Sequence, residues 1–219
     1  MAKLSRILLS TKQSILAGRH DILRYVPEHE TVRWESLRGL QYFLNEHDNM
    51  FVLTGAGMST ESGIPDYRSK DVGTFFRPPY QRPMTYQTFI QSEKARKRYW
   101  ARNYVGWPGF STKQPNRGHF ILADWERQRR IQWLVTQNVD GLHRKAGSER
   151  LTELHGTTYR VICHSCPKVY DRHELQAIMA EMNTDWYATS DVITPDGDVI
   201  LSDEQIAPFK PPKCSCGGN

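Results

Sequence analysis

The sequence has no long hydrophobic run, only 4 cysteines and almost no excess charge outside its first 20 residues. Apolar stretches such as Met50–Leu53 are far shorter than the ~20 residues that cross a bilayer, so we expect no membrane partner. Four of the 29 basic residues lie in residues 1–20, and the remaining 25 face 24 acidic ones. The body of the chain is nearly neutral, so we also expect no nucleic-acid partner.

Residues 1–20 differ in composition from the rest of the chain. They combine Lys and Arg with Ser, Thr and Leu, and they contain no Asp or Glu. This composition is typical of an organellar transit peptide, although a basic surface helix is an alternative. We assign residues 1–30 to a transit peptide.

The cysteines form two close pairs, Cys163 with Cys166 and Cys214 with Cys216. Two pairs separated by a long insert favour one tetrahedral thiolate site for zinc over an evenly spread disulfide framework. An empty site and a disulfide pairing are the alternatives, and His164 is a possible substitute ligand.

Caps, turn residues and apolar periodicity predict alternating helices and strands. We expect helices over 35–47, over 84–107 before Pro108-Gly109, after the Asn116 cap and over 172–182, and strands over 49–54 and 131–136. Residues 70–83 predict a long loop, a candidate lid. Strand, helix and strand in succession predict an α/β fold with a parallel sheet. Residues 151–219 predict a different module, with short extended pieces around the cysteines.

Small residues follow the first predicted strand at Gly55, Ala56 and Gly57. They would let backbone amides approach a diphosphate without an intervening Cβ. The next glycine is Gly63, too late for a complete G-x-G-x-x-G pattern. The turn therefore indicates either a phosphate site or a plain tight turn.

Polar residues also follow the second strand, at Gln137, Asn138, Asp140 and His143. Parallel sheets bind ligands outside the carboxyl ends of their strands, so we expect them to share one crevice with the polar turn at 66–68. His155 precedes a glycine and has an ordinary pKa of ~6.5, which suits either a general base or a structural histidine.

Three motifs in this order resemble the sirtuin family of NAD-dependent protein deacylases and ADP-ribosyltransferases. They are TGAGMSTESGIPDYR at 54–68, TQNVDGLHRKAG at 136–147 and LTELHG at 151–156. RYWARNYVGWPGF at 98–110 and TPDGDVILSDEQI at 194–206 are similar to the mitochondrial class II branch of that family, the sirtuin-four branch. The resemblance covers residues 35–219.

The resemblance implies a Rossmann-like fold, NAD as co-substrate, and a protein-lysine deacylase of lipoamidase type, a mono-ADP-ribosyltransferase, or both. The expected setting is the mitochondrial matrix, the expected partners are acylated or ADP-ribosylatable mitochondrial proteins, and the expected state is a monomer. His155 matches the family's general base. The positions that match the family's NAD contacts are Gly55, Ala56, Gly57, Ser59, Asp66, Tyr67, Arg68, Gln137, Asn138 and Asp140.

The resemblance also implies one structural zinc ion per chain, held by Cys163, Cys166, Cys214 and Cys216. The family's second pair is C-x-x-C, whereas this chain has C-x-C. We expect the shorter turn to lose the backbone amides that usually support the sulfurs.

Tyr99 and Arg102 stand at i and i+3 on a predicted helix, so they can share one face. Acid-preferring sirtuins have a Y-x-x-R pair here, which implies that the pair grips an acyl chain ending in a carboxylate. The alternative is a packed tyrosine and a solvated arginine.

The resemblance also implies domain boundaries. We expect the first half of an NAD-binding domain at 31–160, with a cofactor loop and a helical insert, and a truncated zinc-binding module at 161–219. The family's sheet continues after the second cysteine pair, so we expect a C-terminally truncated sheet with a hydrophobic strand unpaired at its edge. The alternative function is an inactive fragment that binds partners through its zinc module.

Overall fold

A computed structural model describes residues 23–76 and 83–219. Most of the predicted transit peptide and residues 77–82 of the candidate lid therefore lie outside the described residues. No helix among the described residues is both long and apolar enough to span a membrane.

The described chain contains both helices and strands, as the pattern predicts. The helices are α1 Trp34–Glu46, α2 Tyr86–Gln91, α3 Glu93–Ser111, α4 Arg117–Arg127, α5 Leu142–Lys145, α6 Arg172–Met182 and α7 Asp203–Ile206. The strands are β1 Met50–Thr54, β2 Ile131–Thr136, β3 Leu151–Glu153, β4 Arg160–Ile162 and β5 Val169–Asp171. Short 3₁₀ segments cover Ala56–Ser62 and Thr74–Phe76.

The central layer is a parallel sheet in the order β1-β2-β3, which confirms the predicted parallel sheet. Thr54 aligns with Thr136, and Thr136 aligns with Glu153, so the three strands end together. Among the described residues, β1 pairs only with β2, and Phe51 and Leu53 on it are exposed. The prediction of a hydrophobic strand at the edge of the sheet is confirmed.

The cysteine-bearing module is built on the antiparallel β4–β5 hairpin and α6. Its core also includes Ala101 of α3, packed with Leu175, Met179, Val199 and Phe209. The helical insert and the module thus share one core, and the domain division at residue 160 stays a prediction.

Two helix predictions are wrong in detail. The helix expected over 84–107 is broken at Ser92, which caps the end of α2 and whose hydroxyl accepts from the Ala95 amide to begin α3. Pro108 does not end α3, which continues to Ser111. Because proline has no N–H, the Tyr104 carbonyl loses its helical donor, and the Gln176 amide donates to it instead at 2.9 Å.

Helix α1 agrees with its prediction to within one residue at each end. None of its residues is buried, and Leu37 and Leu40 are exposed.

Candidate functional site

The ends of β1 and β2 are joined by a buried hydrogen-bond network. The Ser59 hydroxyl donates to Asp140 Oδ2 at 2.6 Å, and Asn138 Nδ2 donates to the Gly55 carbonyl at 3.0 Å and to Ser59 Oγ at 3.2 Å. The Leu142 amide donates to the other Asp140 oxygen at 2.8 Å. The structure therefore brings the glycine turn and the second polar segment together, as expected for strand ends in one crevice.

Gly57 faces open space beside this network. A Cβ built on it would have no heavy atom within 4 Å, and the backbone there is accessible to a ligand. This geometry fits a cofactor phosphate approaching the turn.

The Asp66-Tyr67-Arg68 turn is held by its own loop. Asp66 Oδ1 accepts from the Ser69 amide at 2.8 Å, and the Asp66 carbonyl accepts from the Thr74 amide at 2.8 Å. Burial first, and the charge of Asp196 second, raise the pKa of Tyr67. Arg68 is exposed.

His155 contacts the backbone of the second polar segment. Its Nδ1 lies 2.9 Å from the Gln137 carbonyl oxygen. A carbonyl only accepts, so Nδ1 is the protonated nitrogen and donates this bond. In the neutral imidazole this leaves Nε2 as the nitrogen that accepts a proton, as a general base requires.

A cavity of about 540 Å³ lies between α2, α3 and the β4–β5 hairpin, and His155 is one of its lining residues. Its apolar lining includes Phe89, Tyr99, Trp100, Val161 and Leu175. A cavity of this size and lining can accept a chain of mainly apolar atoms.

The two predicted acyl-binding residues are placed differently. Tyr99 lines the cavity, whereas Arg102 is not among its lining residues and is buried against Asp198, with its NH2 2.7 Å from Asp198 Oδ2. The solvated arginine of the alternative interpretation is wrong. The role of Arg102 toward a carboxylate stays a prediction.

The four cysteines converge, with their sulfurs all within 4.8 Å of one another. Cys163 Sγ lies 3.7 Å from Cys216 Sγ, and Cys166 Sγ lies 3.6 Å from Cys214 Sγ. A tetrahedral zinc ion with Zn–S bonds of ~2.3 Å requires sulfurs ~3.8 Å apart, so the donor set fits zinc.

The expected loss of amide support at the C-x-C turn is wrong. The Gly218 amide donates to Cys216 Sγ at 3.4 Å, and the Ser165 amide donates to Cys163 Sγ at 3.3 Å. Gly217 adopts φ 81°, which turns the chain so that the following amide faces the sulfur. His164 instead contacts the Tyr86 ring, with centroids 5.4 Å apart, and does not join the sulfurs.

Sequence reasoning missed two residues that organise the site. Asn116 was predicted only as a helix cap, yet its Nδ2 also donates to the Met58 carbonyl at 2.8 Å and anchors the 3₁₀ segment. Asp198 was not singled out, because nothing local indicates that it would reach an arginine 96 positions earlier. The sequence PDGD at 195–198 could have indicated a turn that carries Asp198, but not the arginine that Asp198 contacts.

The fold and site define an α/β protein whose parallel sheet presents a polar crevice beside a four-cysteine module. The chain belongs to the Sir2 family, whose model matches residues 55–210. It is 49% identical over 195 residues to the NAD-dependent protein lipoamidase sirtuin-4, mitochondrial, of Bos taurus. It is 50% identical over 196 residues to the NAD-dependent protein deacylase Sirt4 of Drosophila melanogaster.

Each of these two matches covers 89% of this chain, and the chain spans 62% of the length of each relative. Among solved structures, a Sir2 complex with a p53 peptide and NAD+ is similar with a TM-score of 0.56 and 29% identity, over 75% of this chain and 62% of the other. A Sir2 homolog–NAD complex gives a TM-score of 0.53 and 28% identity, over 88% of this chain and 61% of the other.

Proposed function

We propose that this chain acts in NAD-dependent protein-lysine deacylation of the lipoamidase type, with mono-ADP-ribosyl transfer as a second outcome of the same NAD cleavage. The observation that carries the proposal is the hydrogen bond that His155 Nδ1 donates to the Gln137 carbonyl oxygen at 2.9 Å. It leaves Nε2 as the proton-accepting nitrogen of a residue that lines the cavity. The names of the bovine and fly relatives, a lipoamidase and a deacylase, support the same activity.

NAD would supply the anomeric carbon, where the acyl-lysine oxygen would form a C–O bond as the C–N bond to nicotinamide breaks and nicotinamide leaves. His155 would take the proton of a ribose hydroxyl, which needs a base with a pKa near ambient pH. The apolar wall at Tyr99 and Trp100 would keep water from the reacting carbon.

The remaining roles concern the segments that line the crevice. The glycine turn and its 3₁₀ segment would hold the phosphates and a ribose, and the 66–68 turn would shape the nicotinamide pocket. Asp140 already accepts on both oxygens, and each oxygen keeps capacity for a carboxamide donor. The proposed NAD contacts are Gly55, Ala56, Gly57, Ser59, Asp66, Tyr67, Arg68, Gln137, Asn138 and Asp140.

The four cysteines would hold one structural zinc ion. Zinc would crosslink the β4–β5 hairpin to the 214–216 turn. We place the protein in the mitochondrial matrix, acting as a monomer on acylated mitochondrial proteins. The mitochondrial name of the bovine relative supports that organelle.

A second function is favoured by the edge of the sheet. The exposed Phe51 and Leu53 on β1, which pairs on one side only, would suit a catalytically inactive chain that binds partners. NAD titration by calorimetry and acyl-peptide-dependent nicotinamide release separate the two functions. Saturable NAD binding with release supports the enzyme, and the absence of both favours the partner-binding chain.

A further inference from the structure

The two cysteine pairs differ in length by one residue. In the C-x-x-C turn at 163–166, the Ser165 amide lies between the two cysteines and donates to Cys163 Sγ at 3.3 Å. In the C-x-C turn at 214–216, Ser215 is the one residue between the two cysteines. The direction of the Ser215 amide therefore decides how the shorter turn supports its sulfurs.

The Ser215 amide acts on its neighbouring sulfur through a tyrosine. It donates to Tyr170 Oη at 3.3 Å, and the Tyr170 hydroxyl donates to Cys214 Sγ at 3.2 Å. A phenol has one proton, and its oxygen can accept the amide while that proton goes to the sulfur. The amide, the hydroxyl and the sulfur thus form a chain of two hydrogen bonds, and such bonds polarise one another.

Tyr170 belongs to the β4–β5 hairpin and reaches the 214–216 turn from there. It pairs with Val161 on the neighbouring strand, and Lys168 Nζ lies 4.6 Å from the centroid of its ring. The side chain is half-buried. The hairpin that carries the first cysteine pair therefore also supplies a hydrogen-bond donor to the second pair.

We propose that Tyr170 is a positioning residue of the zinc site, whose hydroxyl orients the Cys214 thiolate and stabilises its charge. The inference rests on the zinc site of the proposed function and adds a residue outside the four ligands. Partners of this kind typically contribute about 10- to 100-fold to metal affinity. Because the hydroxyl acts on the sulfur itself, its removal should change the metal–sulfur bond as well as the affinity.

The test compares Tyr170→Phe with Ser215→Ala in the full chain. Tyr170→Phe removes the donor to Cys214 and keeps the ring. Ser215→Ala keeps the backbone amide but removes Oγ, which accepts from Lys168 Nζ at 3.3 Å, so it breaks another hydrogen bond between the same hairpin and the same turn. Competition with a chromophoric chelator should give a zinc affinity at least about tenfold weaker in Tyr170→Phe, and within about threefold of the parent in Ser215→Ala.

Cobalt(II) bound in place of zinc gives a readout that a merely structural contact would not move. A hydrogen bond stabilises the sulfur lone pairs from which the thiolate-to-cobalt charge-transfer band arises. Tyr170→Phe should therefore move that band to longer wavelength, and Ser215→Ala should leave it in place. Equal zinc affinities in the two variants, or an unmoved band in Tyr170→Phe, would overturn the proposal.

A second substitution decides the matter if Tyr170→Phe does not fold. Incorporation of 3-fluorotyrosine at position 170 keeps the shape of the side chain, and its fluorine withdraws electrons and makes the hydroxyl a stronger donor. The charge-transfer band of this chain should move to shorter wavelength. A band that stays in place or moves to longer wavelength would contradict the role of Tyr170.

The outcomes also separate this inference from the zinc site itself. A parent chain that carries zinc, with equal affinities in the two variants, refutes only the role of Tyr170. A metal-free parent refutes the zinc site, and the role of Tyr170 falls with it. Tyr170 and Cys214 also line the cavity that His155 lines, so nicotinamide release would respond to both metal and substrate, whereas the chelator and the cobalt spectrum respond to the metal.

Discussion

Ser59 and Asp140 link the first two strands of the sheet through a buried hydrogen bond of 2.6 Å. Ser59 follows β1 and Asp140 follows β2, so the bond fixes the glycine turn against the second polar segment. It makes the crevice a single unit before any cofactor binds.

The first prediction compares two buried hydroxyls of the same 3₁₀ segment. Ser59→Ala removes the hydroxyl that donates to Asp140 Oδ2, while the Leu142 amide still donates to Oδ1, and it should cost about 1.5–3 kcal/mol of unfolding free energy. Ser62→Ala removes a hydroxyl that has no hydrogen-bond partner in the structure and should change stability by less than about 0.5 kcal/mol. Urea denaturation measures both, and equal losses would contradict the role given to Ser59.

The second prediction concerns the four-cysteine site. The parent chain should carry one zinc ion, and Cys216→Ser should lose it together with the thermal stability of the module, because metal binding and folding are coupled in such sites. Ser215 lies between Cys214 and Cys216 but is not a ligand, so Ser215→Ala should retain the ion. Elemental analysis of reduced protein after gel filtration decides, and a metal-free parent would refute the zinc site.

The third prediction is acid lability from two buried histidines. The rings of His119 and His143 are tilted by 58° with centroids 4.7 Å apart, and His119 Nε2 and His143 Nδ1 have no hydrogen-bond partner. Burial lowers the pKa of each to about 4, and for His143 the neighbouring His119 adds to the effect. The unfolded chain binds these protons near pH 6.5. Stability is therefore complete above about pH 6.5 and is lost as the pH falls toward 4.

His119→Asn tests this effect. The asparagine Oδ1 can replace His119 Nδ1, which accepts from the Asn116 amide at 3.2 Å, but it does not titrate. The melting temperature of this variant should fall less steeply between pH 6.5 and 4.5 than that of the parent. Parallel curves of melting temperature against pH would show that protonation of these two histidines does not cause the loss of stability in acid.

The fourth prediction concerns Pro108 inside α3. Gln176→Ala should destabilise the protein by about 1–3 kcal/mol, because it leaves the Tyr104 carbonyl without a donor. Pro108→Ala restores a backbone N–H, so Gln176→Ala should cost less in that background. The remaining cost reflects Arg172, whose NH1 donates to Gln176 Oε1 at 2.8 Å. A double-mutant cycle with no coupling would contradict this explanation.

Elements fixed by local signals were predicted from the sequence. The bounds of β2 and α6 agree with the structure, and Asn116 caps α4 as its sequence indicates. The predictions that were wrong depend on distant partners. Gln176 allows α3 to pass Pro108, and Asp198 buries an arginine that was expected at the surface or on a substrate. The crevice was predicted because parallel strands bring their ends together whatever the side chains.

The central claim is that His155 is the general base that takes the proton of a ribose hydroxyl during acyl transfer. His47 offers a matched control, since it is also exposed and its Nδ1 lies 2.9 Å from a backbone carbonyl, that of Phe43. The decisive measurement is acyl-peptide-dependent nicotinamide release by the parent, His155→Tyr and His47→Tyr. We predict a loss of at least 100-fold in His155→Tyr alone, the usual contribution of a general base. Release by His155→Tyr within tenfold of the parent would contradict the account.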